Sequence, residues 1–167
     1  MKNVLKSLLF FSIIGFVFVN ILNNKDVYDR LYDKYSKDSS FHCKISKCTS
    51  ESHVNINNTN FSLTRDLNLN DKAYYFRLKS NDISFNGSYN MIEEKEIMSG
   101  VELPIQITFI LNIGDNHYTG IYYVSNHNLS LNPTYNNHDY SNYMQHMAFV
   151  EKICEYIVNE VNKDLET

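Results

Sequence analysis

Glycine is scarce in this chain, with five residues in 167, alongside two prolines and no tryptophan. Without clustered glycines no loop can wrap its backbone around a phosphate, and neither a nucleotide-binding loop nor a G-x-S-x-G nucleophile elbow is present. Clusters of Lys and Arg are missing as well. Setting aside Lys2 and Lys6, the 15 basic residues fall to 13 against 19 acidic ones, a net charge of −6 over residues 25–167. Such a surface repels phosphate, which excludes direct nucleic-acid binding. The six histidines, at 42, 53, 117, 127, 138 and 146, show neither the i, i+4 spacing nor the accompanying C-x-x-C that preassembles a metal site. No pair of carboxylates lies in an apolar setting suited to general acid–base work. The expectation is a protein without metal or cofactor that binds rather than catalyses.

There is one long apolar run, residues 8–22, broken only by Ser12, Gly15 and Asn20 and preceded by Lys2 and Lys6. This is the layout of an export signal. The small residues a signal peptidase needs just before its cut are absent from "FVFVNILNNKD", so residues 1–24 read as an uncleaved signal-anchor; a cleaved signal releasing a soluble product is the competing reading. At 1.5 Å per residue the run reaches about 22 Å against a hydrocarbon core of about 30 Å. Snorkelling by Lys6 and Lys25, with local thinning, closes the difference. The basic start stays in the cytoplasm, and residues 25 onward are exported. The expected location is a bacterial inner membrane, crossed once, with the C-terminal domain in the periplasm.

Export implies an oxidising compartment for the three cysteines. Cys43 and Cys48 flank four residues in "FHCKISKC", a spacing that a tight hairpin can bridge. Cys154 lies in a helical apolar stripe and reads as a buried thiol. A link from Cys43 to Cys154, tying the first strand to the last helix, is the alternative.

Residues 25–38 read as an amphipathic linker helix, with Val27, Leu31 and Tyr35 on one face and Tyr28 and Tyr32 beside them. From residue 39 the period becomes two. Phe41, Cys43 and Ile45; Phe61, Leu63, Leu67 and Leu69; Tyr74, Phe76 and Leu78; and Ile83, Phe85, Gly87, Tyr89 and Met91 each share a parity. The run "VELPIQITFILNI" is the clearest strand, placed at an edge or bulge by Pro104. "GDNH" turns it into residues 118–125, and a polar loop follows. The period then returns to helical, with Tyr143, Met147, Val150, Cys154, Ile157 and Val161 as the stripe that packs on the sheet.

A basic start, one apolar span and a small β-rich exported domain opening near Phe41, His42 and Cys43 resemble the small periplasmic companions of membrane-anchored transcription activators. These include the ToxS and FidL-like proteins and, nearest in general character, the PsaF/MyfF group. The resemblance implies an α+β fold: an N-terminal membrane helix, an antiparallel β-meander or incomplete lipocalin-like barrel over residues 39–167, and a C-terminal helix packed on the sheet. It implies a partner, a membrane-anchored DNA-binding activator engaged through its periplasmic domain. The companion stabilises that domain and relays an acid or small-ligand signal to virulence or fimbrial genes. An apolar small ligand inside the barrel belongs to the same picture. An anchored exclusion or immunity-type binder and a fimbrial chaperone are the alternatives.

About six strands leave an edge to be covered. The strand carrying Tyr118, Ile121, Tyr122 and Tyr123 is the expected partner-binding edge, because Tyr is enriched at binding hot spots. His117 and His127 beside it are the expected pH sensors, since imidazole changes charge in mildly acidic surroundings.

Overall fold

A computed structural model describes residues 27–90, 105–134 and 140–166. The expected anchor at residues 1–24, and Pro104, lie outside the described residues. Among the described residues no helix is long and apolar enough to cross a membrane.

The first element is helix α1 (Val27–Tyr35). Val27, Leu31 and Tyr35 recur every four residues and are buried together with Tyr28, while Asp29 in the first turn and Lys34 in the last complement the helix dipole. Its apolar side lies in the same hydrophobic cluster as the sheet. The segment expected as a linker is therefore part of the domain core.

Eight strands follow among the described residues: β1 (His42–Lys44), β2 (Lys47–Ile56), β3 (Thr59–Asn68), β4 (Ala73–Lys79), β5 (Ile83–Asn90), β6 (Gln106–Ile113), β7 (Asn116–Tyr123) and β8 (Asn128–Pro133). They form one antiparallel sheet whose spatial order is the chain order. Local turn chemistry enforces this meander. Asn57 and Asn58 join β2 to β3 with φ of 50° and 63°, the left-handed pair of a type I′ hairpin, which Asn tolerates. Gly114 takes φ of 55° in the two-residue link from β6 to β7.

Helix α2 (Tyr140–Glu166) lies on one face of this sheet, the inner face. Its buried residues are Val150, Ile153, Cys154, Ile157, Val158 and Val161. Near its start the Tyr143 hydroxyl donates to the Leu131 carbonyl of β8 at 2.7 Å. Phe149 meets Phe61 of β3 with ring centroids 6.2 Å apart. The helix thus spans the sheet from β8 towards β3. Under it, cross-strand rows stack: Cys48, Leu67, Tyr74, Tyr89, Ile107, Tyr122 and Leu129 follow one another in register from β2 to β8. Fully burying each large side chain of such a row contributes about 1.5–3 kcal/mol.

The next inner row contains Phe76, Gly87, Phe109, Gly120 and Leu131. A Cβ on Gly120 would stand 2.2 Å from Phe109 Cζ and 2.8 Å from the Ser130 carbonyl oxygen. The Phe109 ring occupies the space a side chain at Gly120 would need, and Phe85 does the same at Gly87. The two rings stack at 5.0 Å.

Several expectations need correction. The described residues form eight strands where about six were expected, because β2 and β8 carry few apolar residues. Ile45 does not share the burial of its neighbours in the alternation: it sits between β1 and β2 and is 96% exposed. The strand expected as an edge is β7, which is bonded to β6 on one side and β8 on the other. Its backbone groups are already used. β1 and β8 are not neighbours, so the barrel is open, and the inner face on which a barrel would hold a ligand is covered by α2.

Candidate functional site

Among the described residues, two clusters of interacting charged groups lie on opposite faces of the sheet. On the inner face Arg65 of β3 stands between Leu63 and Leu67 in the buried alternation. Its Nε donates to Ser50 Oγ at 3.2 Å, and its Nη1 lies 3.8 Å from Glu160 and 3.6 Å from Asp164 of α2. The Phe41 ring stacks 3.9 Å from Tyr35, and the guanidinium carbon lies 4.9 Å from its centroid. Burial opposes the charge of Arg65, but Tyr74, Tyr35, Asp164 and Glu160 around it hold its pKa above the usual value.

The Tyr35 hydroxyl bonds to the Tyr74 hydroxyl at 2.8 Å and donates to the Asp164 carboxylate. Lys34 reaches the same carboxylate at 3.3 Å and the Asp164 carbonyl at 3.0 Å. Burial pushes the pKa values of Tyr35 and Tyr74 well up, and that of Tyr89 up to about 12. These groups bond to one another and tie α1, the sheet and the end of α2 together. The cluster is a lock between elements.

The outer face is arranged differently. A groove of about 630 Å³ crosses strands β3 to β7. Asp66, Tyr75, Ser88 and Thr108 follow one another along one outward row, and Arg77, Asn86, Ile110 and Thr119 along the next. Between these rows run Phe76, Gly87, Phe109 and Gly120, the floor of the groove. Asp66 is buried, accepts a hydrogen bond from Thr49 Oγ1 at 2.6 Å, pairs with Arg77, and has Lys47 at 3.8 Å. Arg77 is 55% exposed on its side chain and lines the groove. Ile110 is 54% exposed and Tyr75 38% exposed. The groove offers two apolar surfaces, a ring of hydroxyl and amide groups, and a cation anchored at one end.

The expected disulfide is present: Cys43 and Cys48 are directly paired across β1 and β2 and joined, with Cα atoms 4.0 Å apart. The alternative link to Cys154 is not made. Cys154 is buried and free, and burial raises the pKa of its thiol, which makes it unreactive.

The expected partner-binding residues separate by parity. Tyr118 and Tyr122 are buried beneath α2, where Tyr118 meets His146 Nδ1 at 2.7 Å. Ile121 and Tyr123 have the opposite parity and are half-buried, and Ile121 lies directly across from the groove residue Thr108. His117 and His127 lie beyond opposite ends of the β7 core. His117 Nδ1 meets Asn112 Oδ1 at 2.5 Å, and His127 Nδ1 meets the Tyr122 hydroxyl at 2.8 Å. The two rings belong to separate places.

Asp66, Arg77 and the groove were missed by sequence reasoning. The signal for the groove was Ile110, an apolar residue at an outward position of an otherwise polar row. Among the described residues no group of three or more His, Cys, Asp or Glu is arranged to hold a metal ion. Comparison of the chain with family models, with characterised proteins and with solved structures finds no match in any of the three.

Proposed function

We propose that this chain is a non-enzymatic accessory protein of a membrane-bound transcription activator, and that it receives the activator's exported domain on the outer face of its sheet. The observation that supports this reading is the groove of about 630 Å³ with Ile110 and Tyr75 exposed beside the Asp66–Arg77 pair. An apolar centre with a polar, charged rim is the composition of a protein-binding patch. The inner face is already covered by α2, and the outer face is the one left to recognise something else. In this reading the apolar run at residues 8–22 holds the chain in the inner membrane, with the described domain in the periplasm. The partner's side chains, rather than a small molecule enclosed by a barrel, fill the groove.

The full chain, tagged at its C-terminus, is purified from membranes and its co-purifying proteins are identified by mass spectrometry. The expected companion has one membrane span and a DNA-binding domain. Ile110→Asp, which buries a carboxylate in that contact, reduces recovery of the companion by about tenfold or more, with circular dichroism and the thermal midpoint unchanged. A folded Ile110→Asp chain that retains the companion removes the groove from the account. A companion without a DNA-binding domain overturns the accessory role.

A further inference from the structure

β2 has ten residues and β1 only three. Their pairing uses Lys47, Cys48 and Thr49, and the Cys43–Cys48 disulfide fixes the short strand there. Residues 50–56 have β3 on one side and, among the described residues, no strand on the other.

The hydrogen-bonding direction of this open edge follows from the β2–β3 ladder. The Leu69 N–H donates to the Ser46 carbonyl at 2.8 Å, which makes that pair, in line with the β2–β3 register, a bonded one. Bonded pairs alternate along an antiparallel ladder. Even-numbered residues of β2 therefore turn their backbone groups to β3, and Glu51, His53 and Asn55 turn theirs to the open side. The Ile56–Thr59 pair, which closes a two-residue hairpin, has the same even parity, as such a turn requires.

We propose that two copies of this chain pair through β2, antiparallel about a two-fold axis at His53. The window that no described strand pairs with on its open side, residues 50–56, is centred on that residue. With the axis there, His53 faces its own copy and Glu51 faces Asn55 of the second copy, forming about six backbone hydrogen bonds. Shifting the axis to Ser52 or Val54 leaves about four, because Asn55 or Glu51 then meets the segment covered by β1 or the Asn57 turn. The chosen register sets the carboxylate of Glu51 opposite the neutral Asn55 rather than a second carboxylate, and Ser52 faces Val54 on the inner side.

The window also lacks the devices that protect an edge: it contains no proline, no lysine and one formal charge. The other open edge, β8, has six residues and ends at Pro133, which has no N–H to offer. A second copy is the occupant whose complementary row is set by the same seven residues. The pairing leaves the groove, which starts at β3, on a free face, so it is independent of the proposed function.

Single cysteines placed in the full chain in membranes test the register under mild oxidation, read on a non-reducing gel. His53→Cys is expected to give a covalent dimer rapidly, since facing bonded residues have Cα atoms about 5.5 Å apart, within disulfide reach. Glu51→Cys and Asn55→Cys are expected to stay monomeric alone and to cross-link when co-expressed. No dimer at position 53, or equal cross-linking of all three single variants, overturns the proposal. His53→Pro removes one outward N–H per copy without touching the β3 ladder, and is expected to weaken the dimer in sedimentation about tenfold, with circular dichroism unchanged. A detergent-solubilised wild-type chain that sediments as a monomer, or a folded His53→Pro chain that dimerises as well as wild type, overturns it too.

Discussion

Arg65 and Arg77 stand on neighbouring strands of one sheet and face opposite ways. Arg65 is 15% exposed and is held by Ser50, Glu160, Asp164 and the Phe41 ring. Arg77 is 55% exposed and gives a nitrogen to Asp66 while the rest of its guanidinium meets the groove. The same side chain closes a structure in one place and opens a surface in the other. What decides is cover: α2 lies over the first and nothing among the described residues lies over the second. The inner cluster should therefore respond to change by unfolding, and the outer one by losing a contact.

The largest expected effect is alkaline. Tyr35, Tyr74 and Tyr89 have pKa values raised above their ordinary 10.0 in the fold, and near 10 when unfolded. Above pH 10 the unfolded chain loses protons that the folded chain keeps, so stability is intact below about pH 10 and falls as pH rises. Each tyrosine contributes a loss of about 1.4 kcal/mol per pH unit. Circular dichroism should show unfolding between about pH 10 and 12, and Tyr35→Phe should flatten the decline by one tyrosine's share. A flat profile to pH 12 would mean that water reaches the inner cluster.

Arg65→Ala comes next: Asp164 keeps Lys34 and Glu160 keeps Lys163, but the bond to buried Ser50 and the contact with the Phe41 ring are lost; a loss of about 2–3 kcal/mol is expected in urea denaturation. Gly120→Ala brings a methyl against Phe109 and the Ser130 carbonyl, and about 1–3 kcal/mol should be lost. Arg77→Ala should change stability by about 1 kcal/mol or less, because its charge is largely solvated. If Arg77→Ala destabilised as much as Arg65→Ala, the contrast between the faces would be lost.

Much of the fold was legible because its period is strong. Val27, Leu31 and Tyr35 marked α1, the stripe from Val150 to Val161 marked α2, and Tyr74, Phe76 and Leu78 marked an inward row. β2 was hidden because its inner positions include Ser50 and Ser52, polar residues that a pattern of apolar alternation cannot register. β8 was hidden in an Asn-rich stretch whose inward positions are Leu129, Leu131 and the strand-ending Pro133. Missing β8 turned β7 into an apparent edge, which is why Tyr118 and Tyr122 were placed at a partner interface instead of beneath α2. The inner lock was visible in principle: Arg65 occupies an inward position between Leu63 and Leu67, and a buried cation demands carboxylates. Their source, Glu160 and Asp164 near the end of a helix about a hundred residues away, depends on tertiary packing that no local pattern carries.

The proposed function makes the outer face the working surface. A photo-crosslinking amino acid at position 110, in the groove, is compared in living membranes with one at position 45, the exposed turn between β1 and β2. Position 110 is expected to yield one discrete adduct with a membrane-bound DNA-binding protein, and position 45 none. An adduct at position 45 with none at position 110 would contradict it.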